Sequence, residues 1–474
     1  MSLSTRQHNA IALLVFCALL VFFRLNSAPL QPMETLLAFK ADLILQFNGF
    51  FDLAPYFSGY GNTQFAMPPM GIWLAALSMK VLGNLPLHLR LPSVFCSAAS
   101  LVLLYQIARR LTGYLPALIA PVLLASTLAW NMLARQAGGD IPAVMFTLLS
   151  LWVLITLGEL KPQSSRLKDI SRRVGLIALY GISITGSLLS GLYAGAIAIV
   201  MFGVMIPYLG RKNSVGASVG LIAGVTIAGL WYNHVYLNIG GLFTKVILIQ
   251  GIAQTFVSTL LAQPFIVFAV IAPILIIIVN RKSTSKQKYR SVEYALIAWF
   301  ILAIVTGGLT YSEFFPESSS IVLIVPAAIL LAIRAYELTG GSYQNVRLMW
   351  VMVMSMGIAL FCSFSSGAQG ALAGIFHPGG NLFGSLLPLL IILVVMAVGF
   401  ILPQKRLYQI TARLTLWIGI VVPILLILRI VVMNISKQEI SKETKSEAAT
   451  FYKEVSEDKK QVLLCEHGKI WQEH

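Results

Sequence analysis

Two acidic residues in the N-terminal third of the sequence stand beside apolar segments, where they could do chemistry. Glu34 opens an amphipathic stretch after Pro32, and Asp140 directly precedes an apolar segment that begins with Ile141-Pro142. Charged groups near a membrane are costly and usually functional, and a carboxylate can take up a proton or bind a cation. Each has a plainer interpretation, since Glu34 could compensate a helix dipole and Asp140 could cap the next helix.

Basic residues near these acids extend the candidate site. Arg90 begins an apolar segment, where its guanidinium could contact a phosphate or snorkel to lipid headgroups. Lys40 and Asp42, which follow Glu34, are expected on a solvated helix face. No His, Cys, Asp or Glu group has metal-ligand spacing, so the sequence predicts no metal site and leaves dependence on a divalent ion open.

The elements that must position these residues are membrane helices. Hydrophobic residues make up 57% of the 474 residues and charged residues 11%, against roughly 25% charged in soluble proteins. Apolar runs of about 17–25 residues recur, and such runs must be helical in lipid. The pattern predicts an all-α polytopic membrane protein with about thirteen spans, at 9–26, 91–111, 115–133, 141–159, 174–190, 192–209, 214–232, 262–280, 291–309, 319–335, 348–364, 383–402 and 410–433.

The basic residues fall mainly on alternate loops, which predicts the orientation. By the positive-inside rule the N-terminus is cytoplasmic and the first loop, about 27–90, is external. The apolar stretch 67–83 is then expected to be a helix lying at the outer interface, because counting it as a span would move every later basic loop outside. Residues 1–434 form the transmembrane domain, and residues 435–474 a short charged extracytoplasmic tail.

Composition also excludes some function classes. The net charge of +16 is dispersed over short loops, so it offers no continuous basic face to a nucleic acid. The four cysteines are scattered and predict no disulfide framework. The chain shows no internal repeat, and its polar residues lie at the external ends of spans. Both features make a transporter less fitting than an interfacial enzyme.

Five motifs in order resemble the GT-C superfamily of membrane glycosyltransferases. The resemblance is strongest to its bacterial branch of aminoarabinose transferases and protein O-mannosyltransferase-like enzymes, and it covers about residues 10–160 well. The motifs are Pro32-Met33-Glu34, Asn48-Gly49-Phe50-Phe51-Asp52-Leu53 with Met67-Pro68-Pro69-Met70-Gly71-Ile72-Trp73-Leu74, Leu82-Gly83 with Leu89-Arg90-Leu91-Pro92-Ser93, the segment from Tyr105 to Gly113, and Ala134-Arg135-Gln136-Ala137 with Asp140.

The resemblance implies a GT-C-like fold and transfer of a sugar from a polyprenyl-phosphate donor to an acceptor on the extracytoplasmic side of the membrane. It implies that Glu34 and Asp140 are the catalytic carboxylates, with a carboxylate of the first external loop as the general base for the acceptor and Asp140 as the acid of the second loop. Arg90, Arg135 and Lys245 would bind the donor phosphate and stabilise the leaving charge. The expected partners are membrane lipid and lipid-linked sugar. The expected location is a bacterial inner membrane, and no further cofactor is implied.

Two departures from the family pattern keep other functions open. Met33 stands where the family has the first acid of an Asp-Glu pair, and a thioether cannot accept a proton, so either Glu34 takes that role or catalysis is impaired. Two cations common in relatives are also missing, near Ser190 and before Pro326. The alternatives are a non-catalytic member that binds lipid-linked sugar or a partner, and a polysaccharide polymerase or transporter.

Overall fold

The computed structural model describes residues 21–22, 25, 30, 32–46, 68–83, 85–113, 117–126, 130, 133–160, 166–239, 290–309, 324–330, 332–333, 406 and 409–410. Within these ranges the regular structure is α-helical, as predicted. The main helices are α1 Pro32–Gln46, α2 Pro69–Leu82, α3 Pro86–Thr112, α4 Ile119–Ser126, α5 Asp140–Gly158, α6 Arg166–Ser190, α7 Leu192–Ile239 and α8 Arg290–Leu309.

Four of these helices are long and apolar enough to cross a bilayer, and the chain is an integral membrane protein. The four segments are Pro86–Thr112, Asp140–Gly158, Leu167–Ser190 and Leu192–Leu237. They match the spans predicted at 91–111, 141–159 and 174–190, and the last contains both 192–209 and 214–232. Helix α8 matches the prediction at 291–309.

The total of thirteen spans is not confirmed. The spans predicted at 262–280, 348–364 and 383–402 lie outside the described residues. Those at 9–26, 115–133, 319–335 and 410–433 are described only in part. The tail 435–474 and Lys245 also lie outside the described ranges, so the domain boundary at 434 stays a prediction.

Proline and glycine set the bounds of α2 and α3. Each helix has proline in its first turn, where the missing N–H costs nothing, and each ends at a glycine with positive φ: Gly83 at 99° and Gly113 at 101°. These signals limit α2 to 14 residues. A helix of that length rises about 21 Å, less than the roughly 30 Å of hydrocarbon that a span must cross. That length fits the interfacial helix predicted at 67–83.

Helix α1 packs against α2 through one face that includes two charged residues. Leu37, Ala41 and Ile44 are buried on this face together with Glu34. Lys40 is also buried, so its predicted place on a solvated face is wrong, and burial lowers the pKa of Lys40 to about 8. Asp42 remains partly exposed and accepts a hydrogen bond of 2.6 Å from Gln46 Nε2.

Aromatic side chains pack α2 against the C-terminal part of α7. The rings of Trp73 in α2 and Trp231 in α7 meet edge to face, with centroids 6.4 Å apart. Tyr232, the next residue along α7, donates its hydroxyl to the carbonyl of Leu188 in α6 at 2.7 Å. The C-terminal parts of α6 and α7 and the helix α2 are thereby joined at one end of the bundle.

Polar contacts join the helices at the opposite end. Arg110 in α3 donates to Thr156 Oγ1 at 2.7 Å, lies 3.5 Å from a carboxylate oxygen of Glu159, and stacks 5.2 Å above the ring of Trp152. Asn213 in α7 donates to the carbonyl of Leu157 at 2.8 Å. Each of these contacts ties the C-terminal end of α5 to a neighbouring helix.

Close glycine contacts bring α6 and α7 together. A Cβ on Gly224 would lie 2.6 Å from the carbonyl oxygen of Gly181, and one on Gly220 would lie 2.7 Å from that of Ile177. Thr185 Oγ1 adds a hydrogen bond of 3.2 Å to the carbonyl of Gly224. Small residues at such contacts let membrane helices pack backbone to backbone. Gly210, whose backbone φ of 69° is not helical, divides α7 into two helices, and the second of them carries Gly220 and Gly224.

Replacing Gly224 by alanine is expected to destabilise the protein, because the added methyl must push the backbone of α6 away. Overpacking of this kind costs about 1–3 kcal/mol. Gly229→Ala is the matched control on the same helix, since a Cβ there meets nothing within 4 Å among the described residues. Thermal unfolding in detergent should show a lower midpoint for Gly224→Ala alone. Equal midpoints for the two variants would contradict the close approach of α6 and α7.

Candidate functional site

A buried ion pair between α1 and α3 lies at the centre of the candidate site. Glu34 is 0% exposed and Arg90 3% exposed. Arg90 Nε donates to Glu34 Oε1 at 2.8 Å and Arg90 Nη2 donates to Glu34 Oε2 at 2.7 Å, which is the two-pronged geometry of a strong Arg–carboxylate pair. Arg90 Nη1 also donates to the carbonyl of Leu25 at 2.8 Å. Arg90 is therefore enclosed by protein and does not snorkel to headgroups.

Glu34 also holds the chain segment that precedes α5. The backbone N–H of Ala137 donates to Glu34 Oε1 at 2.9 Å. One residue further, the N–H of Gly138 points to Ser93 Oγ at 3.3 Å, and Ser93 lies one helical turn after Arg90 in α3. Two consecutive backbone amides of the turn 135–139 are thus held by side chains from α1 and α3.

Three backbone segments meet at glycines beside this turn. A Cβ on Gly71 in α2 would lie 2.9 Å from the backbone nitrogen of Gly139, which is closer than real Cβ atoms come. A Cβ on Gly139 would lie 3.2 Å from the carbonyl oxygen of Ser190, at the end of α6. The absence of a side chain at Gly71 lets α2 contact the turn directly. Residue 71 belongs to the motif 67–74, so this close packing explains why the motif has a glycine at position 71.

Arg135 begins the turn 135–139 and is partly exposed. Burial lowers the pKa of the Arg135 guanidinium, and the nearby positive charge of Arg90 lowers it further. The charge of Arg90 is itself paired with Glu34, so the repulsion between the two guanidinium groups is partly offset within the protein.

Asp140 follows the turn directly and is the first residue of α5. Gly139 occupies the cap position and makes no side-chain hydrogen bond, so the interpretation of Asp140 as the helix cap is wrong. Asp140 is partly exposed, and its Oδ1 accepts a hydrogen bond of 3.3 Å from the hydroxyl of Tyr193 in α7. A carboxylate at a helix N-terminus is stabilised by the helix dipole.

The structure brings four of the five predicted site residues to one region. Glu34 and Arg90 contact each other, and Glu34 binds the turn that carries Arg135 at its start and precedes Asp140. Their catalytic and phosphate-binding roles stay predictions. The fifth residue, Lys245, lies outside the described residues. The described parts of the chain contain no group of three potential metal ligands.

Sequence reasoning missed two residues that hold this region together. Ser93 is the last residue of one of the motifs, and the sequence assigned it no role. In the structure its Oγ accepts a hydrogen bond from the N–H of Gly138. Tyr193 follows Gly191 at the start of α7, and its hydroxyl is the side-chain partner of Asp140. A signal for Tyr193 is present in the sequence, since a tyrosine two residues after the glycine that separates two predicted spans lies at the same end of the bundle as Asp140.

One segment of the chain matches a known family model. Residues 66–182 match the family model described as dolichyl-phosphate-mannose-protein mannosyltransferase. The matched segment contains α2, α3 and α5, and with them Arg90, Arg135 and Asp140. An uncharacterized protein of Aquifex aeolicus (strain VF5) is 30% identical over 145 residues. That alignment covers 30% of this chain and only 28% of the Aquifex protein.

Solved structures show a similar fold over most of the chain. ArnT from Cupriavidus metallidurans bound to undecaprenyl phosphate has a TM-score of 0.54 and 17% sequence identity, covering 88% of this chain and 76% of that one. The same protein in the apo state gives a TM-score of 0.51 and 16% identity, covering 89% and 77%. The predicted resemblance to the GT-C superfamily is thereby confirmed in its fold.

Removing one partner of the Glu34–Arg90 pair is expected to destabilise the protein strongly. Glu34→Ala or Arg90→Ala leaves a buried charge without its counter-ion, which costs about 3–5 kcal/mol. Replacing both residues by methionine should recover a large part of that loss, because no lone charge remains.

The ion pair Arg110–Glu159, whose side chains are 25% and 26% exposed, is the matched control, since ion pairs in contact with solvent contribute about 0–1 kcal/mol. Chemical or thermal unfolding of the purified proteins measures the stability of each of these variants. If Arg90→Ala cost no more than Glu159→Ala, the Glu34–Arg90 pair would not be the structural link described above.

Proposed function

We propose that this chain, which has the GT-C fold, is a glycosyltransferase that uses a polyprenyl-phosphate-linked sugar. The acceptor would receive the sugar on the extracytoplasmic side of a bacterial inner membrane. The proposal is supported by the match of residues 66–182 to a mannosyltransferase family that uses dolichyl-phosphate-mannose, and by the fold shared with a protein bound to undecaprenyl phosphate. The observation that carries it is the turn 135–139, which Glu34 and Ser93 hold between a partly exposed cation and a partly exposed carboxylate.

Asp140 is the carboxylate of this site that can reach a substrate. It is partly exposed and keeps one oxygen outside its hydrogen bond with Tyr193, whereas Glu34 is fully buried and accepts three hydrogen bonds. Of the two predicted catalytic acids, Asp140 is therefore proposed to take the proton from the acceptor hydroxyl. Glu34 is proposed to serve catalysis by holding the turn in place.

Arg135 is proposed to hold the donor phosphate. As the acceptor oxygen bonds to the anomeric carbon, the bond from that carbon to the phosphate oxygen breaks, and the electron pair leaves with the polyprenyl phosphate. A guanidinium at the phosphate stabilises this developing charge. Arg90 lies near Arg135, and its guanidinium is paired with the carboxylate of Glu34. Lys245 remains a third candidate cation from the sequence.

A second candidate function is binding of a lipid-linked sugar without transfer. Two observations favour it: Met33 occupies the position of the usual first-loop base, and the neighbouring Glu34 is committed to Arg90 and to Ala137. Such a protein would bind a polyprenyl donor through Arg135 and release no product. Turnover of the donor by the purified protein distinguishes the two functions.

In membranes that contain the acceptor and are supplied with undecaprenyl-phosphate mannose or aminoarabinose, Asp140→Asn is expected to abolish transfer, measured by release of undecaprenyl phosphate. An amide of the same shape cannot accept the acceptor proton, and general-base catalysis contributes about 10²–10⁴-fold. Asp42→Asn is the control, because Asp42 bonds only Gln46 in its own helix among the contacts described. Wild-type turnover by Asp140→Asn would overturn the assignment. Donor binding without turnover in the wild-type protein would favour the second function.

Arg135→Ala is expected to weaken binding of undecaprenyl phosphate about tenfold or more, because a charged hydrogen bond to the phosphate is lost. Arg109→Ala, which removes an exposed arginine at the far end of α3, should leave that affinity unchanged. Titration of the lipid in detergent against protein fluorescence measures both. Equal affinities of the two variants would exclude Arg135 from the phosphate site.

The proposed orientation of the chain in the membrane can be determined by labelling single cysteines introduced into a variant without native cysteines. Leu82→Cys at the exposed end of α2 should react with a membrane-impermeant maleimide added outside intact cells, and Lys168→Cys at the start of α6 should not. The positive-inside rule is the reason, since the loop before α6 is rich in basic residues. The reverse pattern would invert the assigned side of the site.

A further inference from the structure

Tyr193 holds the carboxylate that the proposed mechanism uses. Its hydroxyl donates to Asp140 Oδ1 at 3.3 Å, across 53 positions of sequence. Among the residues that the structure describes, no other side chain donates a hydrogen bond to Asp140. The second oxygen, Oδ2, lies on the side of Gly138, where a Cβ on that glycine would come within 4.0 Å of it.

The turn between α6 and α7 is built to place this phenol. Helix α6 ends at Ser190, Gly191 follows, and the N–H groups of Ala194 and Gly195 bond back to the carbonyl of Gly191 at 3.0 and 3.2 Å. A Cβ on Gly191 would lie 2.7 Å from the ring of Tyr193, so a side chain at residue 191 would displace the ring.

The same turn also touches the segment before Asp140. The carbonyl of Ser190 lies against Gly139, where a Cβ would come within 3.2 Å of its oxygen. The position of Tyr193 is therefore fixed relative to the backbone of residues 139–140 and not only to the side chain of Asp140. A hydroxyl held in this way can select one orientation of the carboxylate.

We infer that Tyr193 is a positioning residue that fixes the carboxylate of Asp140 with Oδ2 directed away from the phenol, where an acceptor hydroxyl can be deprotonated. This inference rests on the proposed function of Asp140. The chemical reason is the neutrality of the donor: a phenol orients the carboxylate through one oxygen and leaves its negative charge uncompensated. A lysine or arginine in the same place would hold Asp140 as an ion pair and reduce its ability to take up a proton.

The test is Tyr193→Phe, which removes one oxygen and keeps the ring. Transfer from undecaprenyl-phosphate mannose or aminoarabinose, in membranes that also contain the acceptor, should show kcat lowered about fivefold to tenfold, as for the loss of one long hydrogen bond. The KM for the donor should stay within about twofold, because Tyr193 contacts the base and not the phosphate. A lower kcat with unchanged KM supports the inference, and a change confined to KM overturns it.

Tyr180→Phe is the matched control. Tyr180 is buried in α6, and its hydroxyl has no hydrogen-bond partner in the described part of the chain. Both variants should keep the thermal midpoint of the wild type to within a few degrees. If Tyr180→Phe lowers kcat as much as Tyr193→Phe, the effect is a general consequence of losing a phenol and the inference fails.

A second background tests whether Tyr193 acts through Asp140. In Asp140→Glu the carboxylate lies one methylene further from the backbone, and Tyr193→Phe should then change the residual kcat less than about twofold. The same fivefold to tenfold loss in both backgrounds would show that Tyr193 acts independently of Asp140. Wild-type turnover by Asp140→Asn refutes the proposed function itself. An inactive Asp140→Asn together with a fully active Tyr193→Phe refutes only this inference.

Discussion

The arrangement of the site depends on one buried ion pair, Glu34 with Arg90. Its geometry is two-pronged, and the carboxylate has a third donor in the backbone of Ala137. A pair buried this deeply adds little net stability, because desolvation offsets most of the attraction. Its effect is on specificity of structure, since only one arrangement of α1, α3 and the turn before α5 satisfies all of these groups. The residues proposed to contact the substrate, Arg135 and Asp140, thus lie beside a charged pair that is itself buried.

Glycine provides the second constraint, because the site is assembled from backbones that touch. Gly71 and Gly139 bring α2, the turn 135–139 and the end of α6 within van der Waals distance. A polar group held by such contacts has little orientational freedom left to lose when it binds a substrate. Preorganisation of this kind lowers the entropic cost of reaching a transition state. Arg135 and Asp140, the proposed contacts of donor and acceptor, are partly exposed residues that flank this packed backbone.

The sequence predicted the helices well, because each apolar run carries its own signal of length and composition. It also selected Glu34, Arg90 and Asp140 from their charge beside apolar segments, and Arg135 through the resemblance to the GT-C superfamily. It could not predict that Glu34 and Arg90 would meet, since a separation of 56 residues leaves no local pattern. Lys40 was misplaced for a related reason: a charge in an amphipathic stretch is assigned to water unless the packing partner is known. Ser93 and Tyr193 act through single oxygens, which periodicity does not reveal.

The sequence separations of the Glu34 contacts have a consequence for biogenesis. Glu34 leaves the ribosome 56 residues before Arg90 and 103 residues before Ala137, so its counter-ion and its backbone partner are both synthesised later. Until then Glu34 lacks these partners, so its carboxylate must stay in water or take up a proton. Assembly of the region around the Glu34–Arg90 pair therefore follows the synthesis of α3 and of the turn 135–139.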